Sequence, residues 1–276
     1  MLKIENTEVY GWEAAIRGMR NPKNSWDKSD SFYGCKLPTR NDEYDFYKCD
    51  GTYTFWYDCY GAAGVHFVGS NDLKLMKTLA KAGTDHGKFL RMINVTMDVT
   101  APLYWWKEYD TYKVGTVANS CSTMHKIHAK EFTLDDFSCE HLIRYEEVHR
   151  DWLGDLEDLI DDLNFARKKF LETRDKKYWW QMIQLLPSSY NQKRTVQLNY
   201  AVLKTIYFAR KDHKLDEWHT FCDWILSLPY FKEICVEEQY FAESKQKTLN
   251  EAMKGKEAAE GFYPVGEIED EDLLPF

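Results

Sequence analysis

The sequence predicts an α+β fold in a single domain, with a helix-rich C-terminal half and a small, mostly antiparallel sheet. Three observations carry this prediction. Apolar residues recur at helical spacing through much of residues 151–227, with Leu156, Leu159, Ile160, Leu163 and Phe170 as the clearest run. Short strand-like runs, the aromatic Tyr53–Tyr60 and residues 92–99, punctuate the first half. No linker, internal repeat or composition break divides the 276 residues, a length that one domain can hold.

The elements follow in order. Residues 1–70 read as an irregular N-terminal extension packed on the domain, residues 71–236 as its core, and residues 237–276 as a C-terminal helix with an acidic tail. Within the extension one short helix spans Trp12 to Met19, and Gly, Asn, Pro, Asp and Ser then break the chain into turns. Asn71-Asp72 cap a helix over 72–82, whose apolar face is Leu73, Leu75, Met76, Leu79 and Ala80 and whose C-cap is Gly83. A strand follows at 92–99, and Pro102 opens a helix through Tyr109. The long helix from Asp151 to Thr173 carries Asp155, Glu157 and Asp158 early and Arg167, Lys168 and Lys169 late, which complements its dipole. Further helices are expected near 176–185, 195–211 and 214–227, separated by Pro187 and by a turn at Asp212-His213.

Composition removes several function classes. The formal charge is −9 and no run is rich in Lys or Arg, so a nucleic acid polymer is not an expected partner, whereas a single nucleotide needs only a few local cations. Seven cysteines without a CxxC pair suit reduced thiols better than a disulfide framework. The start, MLKIENTEVYGWE, lacks a basic region followed by an apolar one, and no apolar run approaches the roughly 18 residues needed to cross a bilayer. A cytoplasmic protein with no membrane partner is expected.

Familiar ligand motifs are absent. Gly61 and Gly64 in YGAAGV complete neither GxGxxG nor GxxxxGK[ST]. His125 and His128 stand three apart with His141, Cys121 and Cys139 nearby, but a zinc site needs three or four converging ligands, and no metal is expected. Asp158, Asp161 and Asp162 read as a solvated acidic face. No nucleophile elbow or triad order appears, so the catalytic residues are not identified. Asn199 and Arg210, eleven residues apart, project from one side of a helix, with Leu203, Ile206 and Tyr207 between them. Buried polar groups on such a stripe require partners. Either a ligand or an ion pair from Arg210 to Asp212 or Glu217 would supply them.

That segment, LPSSYNQKRTVQLNYAVLKTIYFARKDHKLDEW, resembles the C-terminal stretch of the flavin-dependent thymidylate synthases. Pro187, Asn199 and Arg210 keep the family's spacing, and Asp212, His213 and Glu217 match its D-x-H-A-Q-x-E-like run after one deletion. A second match, KEYDTYKVGTVANSCSTMH, sits where the family carries RQxxRHRxxSxNExSxRY, with Asn119 and Ser122 in register. With one inserted residue, Lys107 and Glu108 fall on the Arg-Gln pair and Thr111-Tyr112-Lys113 on the RHR. A third match is of order alone: helix 72–82, Gly83, His86, strand 92–99 and Ala101-Pro102. Together these cover roughly residues 72–125 and 180–227.

The resemblance implies a homotetramer with FAD at subunit junctions, and reductive methylation of dUMP, or a related pyrimidine nucleotide, by methylenetetrahydrofolate and NADPH. It implies Lys113, Asn119, Asn199 and His86 as cofactor-binding residues and Glu108, Ser120, Ser122 and Arg210 as substrate-binding residues. The signature has nonetheless lost two of its three RHR side chains, and Ser120 and Met124 replace a Glu and an Arg. A guanidinium that binds bidentately is not replaced by Thr or Met. A non-catalytic nucleotide-binding or regulatory protein on the same scaffold is therefore the alternative.

Overall fold

The structure, a computed structural model, describes residues 2–38, 44–48, 65–145 and 150–236. In order these form β1 (Lys3–Tyr10), α1 (Trp12–Arg20), β2 (Phe32–Pro38), β3 (Tyr44–Lys48), β4 (Val65–Phe67), α2 (Ser70–Lys81), β5 (Asn94–Pro102), α3 (Leu103–Tyr109) and β6 (Val117–Ser120). Then come α4 (Trp152–Thr173), α5 (Lys176–Leu185), β7 (Asn191–Asn199), α6 (Tyr200–Arg210), α7 (Asp216–Ser227) and α8 (Phe231–Cys235). The fold is α+β, as expected.

Alternation with period two builds the main sheet. Along β5, Val95, Met97, Val99 and Ala101 are buried while Thr96, Asp98 and Thr100 face the other way, and Val196 and Leu198 continue the buried face on β7. Strand order is β1-β5-β7-β6, and every pairing is antiparallel. A smaller antiparallel sheet has the order β3-β2-β4. Residues of α1, α2, α3, α6, α7 and α8 join the buried face of the main sheet in one core, with Trp105, Trp106, Tyr109, Trp218 and Phe221 at its aromatic centre. A second apolar cluster gathers Leu156, Ile160, Leu163 and Ala166 of α4 and Met182 of α5 with Ile127, Phe132 and Phe137.

Helix α2 begins two residues earlier than expected, and its cap comes from far away in sequence. The carboxylate of Asp30 accepts the N–H groups of Asn71 (2.9 Å) and Asp72 (3.1 Å). Asp72 itself, expected at the cap, turns inward. Its carboxylate takes Arg20 Nε at 2.6 Å, Ser29 Oγ at 2.7 Å and Ser31 Oγ at 2.6 Å, and it is fully buried. Gly83 follows the end of α2 with φ +103°, the left-handed position that suits glycine.

Two readings are corrected. Residues 195–199, expected to begin a helix at 195, complete β7, and the helix starts at Tyr200. Residues 3–10, within the stretch read as irregular, are an edge strand of the main sheet with a register shift between Glu5 and Glu8. The aromatic run Tyr53–Tyr60, the glycines of YGAAGV, and the helix and acidic tail expected over 237–276 lie outside the described residues.

Candidate functional site

Helix α3 leaves the end of β5 with no intervening loop, and α6 leaves β7 in the same way. These two neighbouring strands aim the two helices so that Glu108 of α3 meets Arg210 at the last turn of α6. Arg210 donates from Nη1 to Glu108 Oε2 at 2.6 Å and from Nε to Tyr112 Oη at 2.9 Å. Its guanidinium also lies 4.8 Å from the ring centroid of Trp218 and 5.7 Å from that of Tyr112. The same Glu108 oxygen accepts from Trp218 Nε1 at 3.1 Å and stands 3.2 Å from His213 Nε2. The Leu215 N–H donates into His213 Nδ1 at 3.2 Å, which leaves the imidazole proton on Nε2, facing Glu108.

This cluster is held on one side and open on the other. Among the described residues, Arg210 Nη2 and Glu108 Oε1 take no hydrogen bond, and the Glu108 side chain is 36% exposed. A donor thus sits beside an acceptor, with no net charge when His213 is neutral. Such a pair matches the edge of a neutral ring that bears an N–H and an acceptor side by side. A phosphate would meet the Glu108 carboxylate as well as the guanidinium, which disfavours it there.

The structure brings together Glu108 and Arg210 among the residues singled out from sequence. Arg210 does form an ion pair, but with Glu108 rather than Asp212 or Glu217; Glu217 instead accepts from Tyr104 Oη and is buried. Asn199 and Arg210 do not share a helix face, because Asn199 is the N-cap of α6 and accepts the Val202 N–H at 3.1 Å. Gly115, at φ +78°, packs on that cap: a Cβ there would come within 3.2 Å of Val202 and 3.3 Å of Asn199 Nδ2. The turn containing Lys113 therefore lies over the first turn of α6, beside Tyr112. Asn119 and Ser120 are exposed on β6, opposite Thr195 and Arg194. Ser122 accepts the N–H groups of Met124 and His125 and serves a local turn. His86 is exposed at the start of a 3-10 turn over Gly87–Arg91.

Sequence reasoning missed Tyr112 and Trp218 as partners of Arg210 and His213 as a partner of Glu108, although His213 lies in the segment that resembles the family. It also missed a cleft of 790 Å³ beside the other flank of α6. The cleft runs between the end of α2, the Gly87–Arg91 turn and α6, and its lining includes Gly83, Gly87, Ala201, Lys204, Thr205 and Phe208. A second cleft, of 930 Å³, lies at the start of α1 among Tyr10, Trp12, Tyr33, His66 and Trp224. Among the described residues no three His, Cys, Asp or Glu side chains are grouped to hold a metal. Nor is any described helix long and apolar enough to cross a membrane.

The single-faced antiparallel sheet, with α3 and α6 running straight off adjacent strands, is similar in fold to structures of thymidylate synthase X. Two structures of that enzyme from Helicobacter pylori, both with FAD and dUMP, each cover 86% of this chain and 98% of their own, with 14% sequence identity and a TM-score of 0.55. Neither a protein-family model nor a curated protein sequence matches the chain.

Proposed function

We propose that the protein is a flavin-dependent, thymidylate synthase-like enzyme. It would bind FAD and a pyrimidine nucleotide and carry out reductive methylation of dUMP, or a related nucleotide, with methylenetetrahydrofolate and NADPH. The observation that carries this reading is the meeting of Glu108 and Arg210, 102 residues apart in sequence, at a part-buried donor–acceptor pair in this fold. We assign the pair to the base of the nucleotide, with Tyr112, His213 and Trp218 holding it in place. The structures with FAD and dUMP support the ligand class by similarity of fold.

The cleft beside α6 is large enough for part of a flavin. The 790 Å³ cleft lies within the roughly 300–1,000 Å³ usual for small-molecule sites, and Gly87, the neighbour of His86, is among its lining residues. We keep Lys113, Asn119, Asn199 and His86 as cofactor contacts, and Ser120 and Ser122 with Glu108 and Arg210 as substrate contacts. A bound flavin would supply hydride chemistry; the chain's own residues would bind, orient and exclude water. Within this reading residues 71–236 form the functional core, the assembly is a homotetramer and the setting is the cytoplasm.

Purified protein should be yellow with a flavin absorbance band, and should release tritium from C5-labelled dUMP when folate and NADPH are supplied. Nucleotide binding without flavin or tritium release would instead establish the non-catalytic alternative. Arg210→Ala should weaken nucleotide binding by about 1.5–3 kcal/mol, the scale of hydrogen bonds to charged groups. Calorimetry that finds dUMP, dCMP and dTMP binding unchanged in that variant, or none in the parent, would remove the assignment.

A further inference from the structure

Five elements converge on the 930 Å³ cleft at the start of α1: the end of β1, α1 itself, β2, β4 and the last turns of α7. They bring the rings of Tyr10, Trp12, Tyr33, His66 and Trp224 to its wall. Gly11, at φ +93°, makes the joint between Tyr10 and Trp12, and a Cβ there would stand 2.1 Å from the Met92 carbonyl oxygen, so the joint is closed to a side chain. Trp224 is fixed by its Nε1, which donates to Thr7 Oγ1 at 3.1 Å, and His66 stacks parallel on Trp12 at 6.3 Å between centroids. Rings in the core pack on one another, but among the described residues Tyr10 and Tyr33 stack on no ring and are 40% and 50% exposed.

The polar part of the wall carries no net charge. Its charged residues, Glu13 and Arg17, pair with each other at 3.7 Å, one helical turn apart. Burial lowers the pKa of His66, which keeps its ring uncharged near neutrality. Its Nε2 is buried without a hydrogen-bond partner among the described residues, an orphaned group of the kind that a ligand satisfies.

We infer that this cleft is a second ligand site, separate from Glu108 and Arg210, and that it takes an uncharged, planar aromatic molecule bearing one hydrogen-bonding group. Flat apolar walls select a flat apolar ligand, which gives the unstacked rings of Tyr10 and Tyr33 the partner they lack. The self-paired rim favours no ion, and the ligand's polar group meets His66 Nε2. The volume falls within the roughly 300–1,000 Å³ usual for small-molecule sites. None of this depends on the flavoenzyme reading.

Calorimetry on the full chain with 2-naphthol, cyclohexanol and 2-naphthalenesulfonate tests it. 2-Naphthol, flat, uncharged and hydroxylated, should bind; cyclohexanol, which is not flat, and the sulfonate, which is an anion, should bind at least tenfold more weakly. Tyr10→Ala and Tyr33→Ala, both at exposed positions, should each weaken 2-naphthol at least fivefold and melt near the parent's temperature. His66→Phe, which keeps a ring beside Trp12 and removes the hydrogen bond, should weaken it to a similar extent. Trp180→Ala, an exposed aromatic on α5, and Arg210→Ala should leave it unchanged. No 2-naphthol binding by the parent, binding that neither tyrosine variant alters, or an equal loss in Trp180→Ala would overturn the assignment. So would a loss confined to Arg210→Ala, which would move the aromatic to the pair at Glu108. The two readings fail separately: 2-naphthol held through both tyrosines by a protein that takes up neither flavin nor nucleotide keeps this site and removes the enzyme.

Discussion

Asp72 shows how much one residue can organise. Burial works against its ionisation, but hydrogen bonds from Ser31, Ser29 and Arg20 outweigh that and hold its carboxyl below the ordinary value. The Arg20 guanidinium closes the network by donating to the carbonyls of Ser25 and Lys28, at 3.0 Å each. One buried ion pair thus ties α1, the turns after it and α2 together. Asp72→Ala would leave Arg20, only 5% exposed, as an uncompensated charge, and denaturant titration should show a loss of about 3–5 kcal/mol. Because the folded-state pKa is depressed, this stabilisation is present above the unfolded value of about 3.9 and disappears as pH falls through the folded value. Two buried cysteines have the opposite character: burial raises the thiols of Cys222 and Cys235 to about 11 and about 12, so neither is a thiolate near neutrality.

At the scale of elements, the exposed face of the main sheet is pinned by Asp98, which accepts from Thr195 Oγ1 at 2.6 Å on β7 and from Asn6 Nδ2 at 2.9 Å on β1. Led by the Thr195 hydrogen bond, these contacts and Lys193 lower its pKa to about 2. The stabilisation is complete above the unfolded value of about 3.9 and vanishes as pH falls toward 2. Thr195→Val should raise the Asp98 pKa in an NMR titration and leave the variant with less stability to lose between those limits; an unmoved pKa would show that Thr195 does not control it. The helices with strong apolar stripes, α2, α4 and α7, were legible from sequence, as was β5. β7 was not, because its buried residues Gln192, Val196 and Leu198 include a polar one and run directly into the helical Tyr200, Leu203 and Ile206. β1 was hidden by its polarity, since KIENTEVY holds an edge position with few buried side chains. In the site, Arg210 was legible as a buried-stripe cation, whereas its pairing with Glu108 depends on β5 and β7 lying side by side, which no local pattern reveals.

Among the described residues, the apolar interior is divided. The α4–α5 pair packs on its own cluster around Leu163 and Met182, apart from the core that supports the site. Leu163→Ala should cost about 2–5 kcal/mol, and hydrogen exchange should quicken across α4 and α5 while amides of β5 and β7 stay protected; uniform loss of protection would mean a single cooperative unit. The joint between β7 and α6 has the opposite consequence. With Asn199 ending the strand and Tyr200 beginning the helix, the chain there works like a thread cut to a fixed phase. One residue inserted at that joint would rotate α6 by about 100° and advance it by about 1.5 Å, turning Leu203 and Ile206 out of the core and Arg210 away from Glu108. The exposed turn at Arg174-Asp175, between α4 and α5, sets no such phase. A single alanine inserted after Asn199 should therefore lower the melting temperature sharply, and the same insertion after Arg174 only slightly. Length variation in proteins built this way can collect in the outlying hairpin, while the count of residues from the sheet to Arg210 stays fixed.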